Sequence, residues 1–235
     1  MIELFPAGFE EVDHPGGEIE LAAYTDAGGE ERLWHAFGGT GSAADVEEGW
    51  EERWRAFHRP VRVGRVWIGP PWEQAPDDAL AVVIDPGRAF GTGAHATTRL
   101  CLELLALEPR GDLLDVGCGS GVLAIAAARL GYGPVTAVDV EAEAVDATRA
   151  NAARNGVELD VRLGDALAAG LPAVRTAVAN VTLEAVSAIA PRLDCERLVT
   201  SGYLASERPG PGGFRHLDRR EAEGWAADLF ARETV

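Results

Sequence analysis

The stretch LLDVGCGSGVLAIAA, residues 113–127, decides the fold. Its first four residues form a typical short buried strand, the next five carry glycine at every second position, and aliphatic residues then continue at helical spacing. Such a strand–turn–helix unit lets the backbone approach a ligand closely and directs the N–H groups of the helix N-terminus towards it. The stretch therefore predicts a ligand-binding turn after a central strand of an α/β sheet.

A second signal for the ligand lies at the end of the following strand. Asp139 comes 18 residues after Gly121, where a carboxylate can accept both hydroxyl groups of a ribose. Gly119, Gly121 and Ala124 also fit the G-x-G-x-x-A fingerprint of dinucleotide-binding proteins. A dinucleotide-dependent oxidoreductase is therefore one alternative at this stage.

Asp115 bears on which cofactor binds at this turn. It stands two residues before Gly117, at the edge of the turn, and would lie close to the pyrophosphate of a dinucleotide. Two like charges about 4 Å apart repel by about 4 kcal/mol at an effective dielectric constant near 20. S-adenosylmethionine has no phosphate there and instead presents an ammonium and a sulfonium group, so Asp115 favours S-adenosylmethionine as the cofactor.

The rest of the chain from residue 79 onwards predicts an α/β fold. Apolar strands alternate with amphipathic helices, which indicates a parallel sheet covered on both faces. Residues 213–233 indicate two strands around a turn, an antiparallel hairpin that closes the sheet. The predicted strands cover 79–85, 111–117, 134–140, 157–165, 174–181 and 195–203, and the predicted helices cover 97–107, 120–131, 141–156 and 183–193.

The N-terminal part is predicted to form a separate, smaller element. Residues 17–37 contain two extended runs around DAGG, typical of a hairpin, and residues 45–58 carry aromatic residues at helical spacing. We expect a small α+β appendage over residues 1–43, a linker helix and strand over 44–78, and the cofactor-binding domain over 79–235.

Composition limits the possible partners. The chain has 21 basic and 38 acidic side chains and a formal net charge of −17. This charge disfavours direct binding of nucleic acid and suits a basic protein or a small cationic substrate. Simple solubility is the alternative reason for such a charge.

Three cysteines without C-x-x-C spacing predict free thiols in a reducing compartment and no metal site. The absence of a long apolar run or a signal-peptide pattern predicts a cytoplasmic chain without a membrane span, and we expect a monomer.

Asn180 is the candidate catalytic residue. It falls at the C-terminal end of the strand in TAVANVTLEAV, the edge where open α/β sheets hold their ligands, and its amide could orient an incoming amine. The alternative is an asparagine that caps the helix beginning near Thr182. NVTL stands where a planar-amide or base methyltransferase would have N-P-P-[FY], so flat nitrogens are disfavoured as acceptors.

The segment PGRAFGTGAHATTRL, residues 86–100, identifies a family. Together with LLDVGCGSGVLAIAA, AVDV, VANV and SGYL it resembles the PrmA family, which methylates large-subunit ribosomal protein eleven. The resemblance covers residues 45–204 and, more loosely, the EAEGW near the end. It implies a Rossmann-like class I methyltransferase fold with a seven-stranded, mostly parallel sheet, and S-adenosylmethionine as the methyl donor.

The resemblance also implies cofactor contacts at Thr98, Gly117, Asp139 and Asn180, and it implies that the loop over residues 86–100 folds over the cofactor. His95 is a candidate base or, alternatively, a hydrogen-bonding residue that only positions its neighbours, and Asn180 is the other catalytic candidate. The predicted cofactor-binding set is Phe90, Gly91, Thr92, Thr97, Thr98, Asp115, Gly117, Cys118, Gly119, Gly121, Asp139, Val140, Asp165 and Asn180.

Two departures from the family bear on the substrate. The N-terminal domain, which in the family recognises the ribosomal protein, is expected to be truncated, and ASERPGPGGFRHL, residues 205–217, is too short for the family's helix at that point. We expect methyl transfer to lysine ε-amino or N-terminal α-amino groups of that ribosomal protein. The alternatives are another protein or a small amine as the methyl acceptor, a dinucleotide-dependent oxidoreductase, and a binding module without activity.

Overall fold

The computed structural model describes residues 10–13, 19–22, 58–85, 93–168 and 170–233. The chain divides into two compact units, residues 1–57 and 58–235. In the first unit, β1 (Glu10–Asp13) pairs antiparallel with β2 (Ile19–Ala22). Of the hairpin predicted around DAGG, only part of the first strand lies in the described residues. This part is β2, and its partner in the described residues is the upstream strand β1. The predicted helix over 45–58 lies outside the described residues, apart from His58.

The second unit begins with a three-stranded sheet. β3 (Val61–Val63) pairs antiparallel with β4 (Val66–Gly69), which pairs parallel with β5 (Leu80–Val83). Their apolar side chains are buried in the larger of the two main hydrophobic clusters, so the C-terminal half of the predicted linker packs into the unit that holds the central sheet. That unit therefore begins earlier than residue 79, while the division of roles among 1–43, 44–78 and 79–235 stays a prediction.

The central sheet has seven strands in the order β11–β12–β10–β9–β6–β7–β8. Six of them run in the same direction, and β12 lies antiparallel between β10 and β11. This order confirms the predicted fold class. The strands are β6 (Leu113–Val116), β7 (Val135–Asp139), β8 (Asp160–Leu163), β9 (Val174–Asn180), β10 (Cys195–Leu204), β11 (Phe214–Ala222) and β12 (Trp225–Arg232).

Helices cover both faces of this sheet. Along β6, Leu113 belongs to one hydrophobic cluster and Leu114 to the other, as the two-residue period of a strand requires. The first face carries α1 (Ala96–Leu107), α2 (Val122–Leu130) and α3 (Ala142–Asn155), and the second carries α4 (Leu183–Ile189) with the short 3₁₀ turn that follows it. Burial on both faces explains the apolar residues Leu113, Leu114 and Val116 of β6 and the apolar run 177–179 of β9.

The closing hairpin turns at Glu223 and Gly224. Both residues have positive φ, 53° and 79°, as the two-residue turn that matches strand twist requires. Within the described chain, no helix lies between β10 and β11, in agreement with the short connection expected there. The hairpin places Trp225, the first residue of β12, at the same edge of the sheet as the ends of β9 and β10.

Candidate functional site

The described candidate residues meet at the C-terminal edge of the parallel strands. The N–H groups of Gly117 and Cys118 donate to the carbonyl of Val138, and Gly119 donates to Oδ2 of Asp139 at 2.9 Å. A third strand reaches the same place through the residue after Asn180, because a Cβ on Gly117 would lie 2.6 Å from Cγ1 of Val181. Phe90, Gly91 and Thr92 of the predicted set lie outside the described residues.

The glycine-rich turn needs glycine for two reasons. Gly117, Gly119 and Gly121 all have φ in the left-handed region, at 73°, 53° and 81°, which other residues seldom adopt. Space is also short, since a Cβ on Gly121 would lie 2.8 Å from Cγ2 of Thr148 on α3. Gly121 is the N-cap of α2, so the turn runs directly into the positive end of a helix.

Asp115 is buried under this turn. Only 1% of it is exposed; Oδ2 accepts the N–H of Ala124 at 3.0 Å in the first turn of α2, and Oδ1 finds no donor among the described residues. Burial raises the pKa of this carboxyl from 3.8 to about 7, although the Ala124 hydrogen bond opposes that shift. A carboxyl with one unpaired oxygen is an acceptor suited to a cationic or hydrogen-bond-donating group.

Asp139 and Asp165 follow the next two strands. Asp139 accepts the N–H of Glu141 at Oδ1, 3.0 Å away, in addition to that of Gly119 at Oδ2. Each carboxylate oxygen accepts more than one hydrogen bond, so both keep capacity for a ligand. Asp165 accepts the N–H of Leu167 at 2.8 Å with one oxygen.

Apolar side chains are exposed beside these two carboxylates. Val140 is 65% exposed, Leu163 59% and Leu167 41%. Leu163 is the register partner of Asp139 in neighbouring strands, and Gly164 donates its N–H to the Asp139 carbonyl. An exposed apolar group between hydrogen-bonding carboxylates is typical of a site for a flat, partly polar ring.

His95, Thr97 and Asn180 form one hydrogen-bonded group. The N-cap of α1 is His95, whose Nδ1 accepts the N–H of Thr97 at 3.4 Å. An imidazole nitrogen thus stands where a hydroxyl or carboxylate oxygen usually caps a helix. Asn180 Nδ2 donates to Thr97 Oγ1 at 3.2 Å and to Thr98 Oγ1 at 3.5 Å.

This group fixes the protonation of His95. His95 Nδ1 accepts the backbone N–H of Thr97 and lies 2.8 Å from Thr97 Oγ1, so Nδ1 carries no proton and the hydroxyl donates to it. Burial lowers the pKa of His95, with a smaller opposing effect from Glu223. The imidazole is therefore neutral, with its proton on Nε2.

The capping alternative for Asn180 is excluded. Thr182, not Asn180, is the N-cap of α4, and its Oγ1 accepts the N–H of Ala185 at 3.3 Å. The side chain of Asn180 is instead turned towards the start of α1. Strand β9 thus delivers an amide to the site, as its position at the strand end predicted.

Three neighbours of the site were not found from the sequence. The Trp225 ring packs edge-on against His95, with centroids 4.8 Å apart, and Thr148 and Asn151 of α3 bond to the glycine-rich turn. Trp225 gives no local signal because its partner is far away in the chain. Thr148 and Asn151 do give one, as polar residues on a helix face that must be buried against the sheet.

The described residues contain no group of three or more His, Cys, Asp or Glu side chains that could hold a metal ion. Among these same residues, no helix is both long and apolar enough to cross a membrane. Cys101, Cys118 and Cys195 are buried free thiols.

The strand order, the antiparallel closing hairpin and the glycine-rich turn followed by a strand-end carboxylate define the Rossmann-like fold of class I methyltransferases. The chain belongs to the ribosomal protein L11 methyltransferase (PrmA) family, whose model matches residues 34–207. This confirms the resemblance found in the sequence. The family and the fold imply S-adenosylmethionine as the methyl donor.

Named relatives agree with this assignment. The chain is 43% identical over 199 residues to a ribosomal protein L11 methyltransferase of Symbiobacterium thermophilum, covering 78% of this chain and 66% of that protein. It is 41% identical over 222 residues to the one of Thiobacillus denitrificans, covering 85% and 74%. The match to the Shewanella sediminis enzyme spans 56% of that protein, so the chain corresponds to less than two thirds of the length of several relatives.

Solved structures show the same fold. A ribosomal protein L11 methylase from Lactobacillus delbrueckii subsp. bulgaricus superposes with a TM-score of 0.66 at 29% identity, covering 75% of this chain and 100% of that one. A putative RNA methyltransferase from Pyrococcus horikoshii superposes with a TM-score of 0.51 at 20% identity, covering 62% and 87%, and this second similarity concerns the fold alone.

Proposed function

We propose that this chain transfers methyl groups from S-adenosylmethionine to amino groups of a ribosomal protein, the counterpart of L11, at lysine ε-amino groups, the N-terminal α-amino group or both. The observation that carries the proposal is the family match, which runs without interruption through the site from His95 to Asn180. The geometry of the site supports it, because the residues that the chemistry needs are present and brought together.

The residues present fit the cofactor. The unpaired Oδ1 of Asp115 suits its ammonium group, and the two oxygens of Asp139 suit its ribose hydroxyls. Val140 supplies an exposed apolar surface for the adenine ring, and Asp165, which follows the neighbouring strand β8, suits the exocyclic amine as an acceptor. The turn over Gly117, Cys118, Gly119 and Gly121 brings backbone close to the ligand, and Thr97 and Thr98 open α1 beside it.

S-adenosylmethionine supplies an electrophilic methyl group on a good leaving group, so the protein has to hold a neutral amine in line with it. Asn180 donates through Nδ2 to the two threonines, which leaves its Oδ1 to accept an N–H of the incoming amine. Desolvation at this edge lowers the pKa of an entering lysine and favours its neutral form.

His95 acts on the reaction through Thr97. Because Nδ1 accepts from Thr97 and the proton lies on Nε2, the imidazole is not positioned as a base at Nδ1. We assign it the role of holding Thr97, and through Thr97 the amide of Asn180. This is the positioning alternative of the two roles considered for His95.

The charge of the chain supports a basic protein substrate. A net charge of −17 attracts a basic polypeptide over a long range, and ribosomal proteins are commonly basic. The N-terminal unit, residues 1–57, is assigned to recognition of that protein. A ribosomal substrate and three free thiols together favour the cytoplasm as the place of action.

The proposal is tested by incubating the purified chain with isotopically labelled S-adenosylmethionine and ribosomal protein L11, followed by mass spectrometry of the intact protein and its peptides. We expect labelled methyl groups on amines. Asn180→Leu should abolish the transfer, whereas Thr182→Ala, which removes only the cap of α4, should leave it in place. Cofactor binding without methylation of the protein would point to another protein or a small amine, and absence of cofactor binding would refute the proposed function.

A further inference from the structure

Helix α3 carries a polar stripe on its buried face. Thr148, Asn151 and Asn155 are spaced three and four residues apart, so they lie on one side of the helix, and they are 0%, 3% and 5% exposed. Side chains of this kind are seldom buried without hydrogen-bond partners. Their partners therefore show what the stripe holds in place.

The stripe binds the backbone of two separate segments. Asn155 exchanges two hydrogen bonds with Val83 of β5, accepting its N–H at 2.8 Å and donating to its carbonyl at 2.7 Å. Asn151 accepts the N–H of Asp85 at 3.1 Å and donates to the carbonyl of Ser120 at 2.9 Å. One side chain thus connects the end of β5 to the glycine-rich turn.

Thr148 adds a second contact with the turn. Its hydroxyl donates to the carbonyl of Gly119 at 2.9 Å, and its methyl group fills the space where a Cβ of Gly121 would be. The two carbonyls at the centre of the turn, those of Gly119 and Ser120, are therefore both held by α3.

These two bonds fix the orientation of two successive peptide planes. In a trans peptide the N–H points opposite to the carbonyl, so the N–H groups of Ser120 and Gly121 are directed away from α3, and that of Gly121 donates to the carbonyl of Cys118 at 2.8 Å within the turn. Without the bonds from α3, the glycines on either side of Ser120 would let the plane 119–120 rotate at little cost, and the plane 120–121 would be held only by the Gly121–Cys118 bond. A rotated plane would turn a carbonyl oxygen towards the side on which the positive end of α2 lies.

We propose that Thr148 and Asn151 are positioning residues for the cofactor, acting by holding the peptide planes 119–120 and 120–121 in the orientation that binds it. The proposal rests on the proposed function, because it takes S-adenosylmethionine as the ligand of this turn. Asn155 belongs to the same stripe and bonds only to β5 and to its own helix, so it supports the fold without positioning the turn.

The first test compares two buried Thr→Val substitutions by titration calorimetry with S-adenosylmethionine. Thr148→Val removes the bond to Gly119, together with the 3.3 Å contact of the same hydroxyl with Cys118 Sγ, with almost no change of shape. We expect the dissociation constant to rise about three- to tenfold, the effect of one neutral hydrogen bond. Thr176→Val is the matched control, since Thr176 is also 0% exposed and its hydroxyl has no partner among the described residues. We expect no change of affinity for it.

The second test compares Asn151→Asp with Asn155→Asp. Both keep the acceptor oxygen that faces β5. Asn151→Asp loses one bond to a carbonyl and Asn155→Asp loses two, so the melting temperature should fall at least as far in Asn155→Asp as in Asn151→Asp. Only Asn151→Asp should weaken cofactor binding, by tenfold or more, and raise KM for the cofactor while kcat at saturation changes little.

Wild-type affinity in folded Thr148→Val and Asn151→Asp would overturn the inference while leaving the proposed function intact. Equal loss of affinity in Asn151→Asp and Asn155→Asp would do the same, because it would indicate a general effect on the fold. If the unmodified chain itself binds no S-adenosylmethionine, the proposed function fails and the inference fails with it.

Discussion

Asp115→Asn should stabilise the cofactor-free chain in a manner that depends on pH. The substitution keeps an oxygen that can accept the N–H of Ala124 and removes a negative charge from a side chain that is 1% exposed. Burial places the pKa of this carboxyl at about 7, against 3.8 for the free group. The folded chain therefore holds the proton of Asp115 more tightly than the unfolded chain does.

The magnitude follows from this difference in pKa. Below about pH 3.8 the carboxyl is protonated in both the folded and the unfolded state and has no effect on stability. Between pH 3.8 and 7 only the unfolded state has lost the proton, so the free energy of unfolding of the wild type falls as pH rises. Above pH 7 this loss of stability is complete, at about 4 kcal/mol. Between about pH 5.5 and 8.5 the wild type should lose about 2 kcal/mol that Asp115→Asn does not lose.

The assay is urea unfolding of both proteins at these two pH values, without cofactor. Replacing a neutral carboxyl by an amide also changes stability by an amount that does not depend on pH, and this amount cancels when the two pH values are compared. The measured quantity is therefore the change, between the two pH values, of the difference in unfolding free energy between the two proteins. A difference between the two proteins that stays the same at both pH values would refute the assignment of a raised pKa to Asp115. At pH 8.5 the same substitution should weaken binding of S-adenosylmethionine, because the ammonium group loses its counter-charge.

Four further outcomes are expected. Asp139→Ala should raise the dissociation constant for S-adenosylmethionine at least tenfold in calorimetry, since hydrogen bonds to a charged group contribute about 1.5–3 kcal/mol each; an unchanged constant would remove it from the ribose site. Gly121→Ala should destabilise the fold more than Gly131→Ala in thermal unfolding, because both have positive φ but only the first would contact Thr148. Steady-state kcat/KM for the ribosomal protein should fall with salt as the Debye length shortens from about 30 Å at 0.01 M to about 10 Å at 0.1 M, with kcat changing less. Deleting residues 1–57 should abolish methylation of that protein while cofactor affinity persists, and full activity of the shortened chain would show that this unit is not the recognition element.

The sequence by itself determined the class of fold and most of the candidate site. Alternating strands and helices predicted the sheet, and a turn with three glycines predicted where a ligand approaches the backbone. Asp139 and Asn180 could be placed because the ends of parallel strands meet at one edge. These are short-range signals, set by the two periodicities of regular structure and by the steric freedom of glycine.

Only the tertiary structure decided how the site is held. The pKa of Asp115 depends on burial by α2 and the sheet, the placement of the Asn180 amide on two threonines of α1, and the orientation of the turn on Thr148 and Asn151. The packing of β3 and β4 into the main core was likewise not visible in a segment predicted to be a linker. Each of these features joins residues that are distant in the chain, and their contact is fixed by the packing of whole helices and strands, which no local pattern encodes.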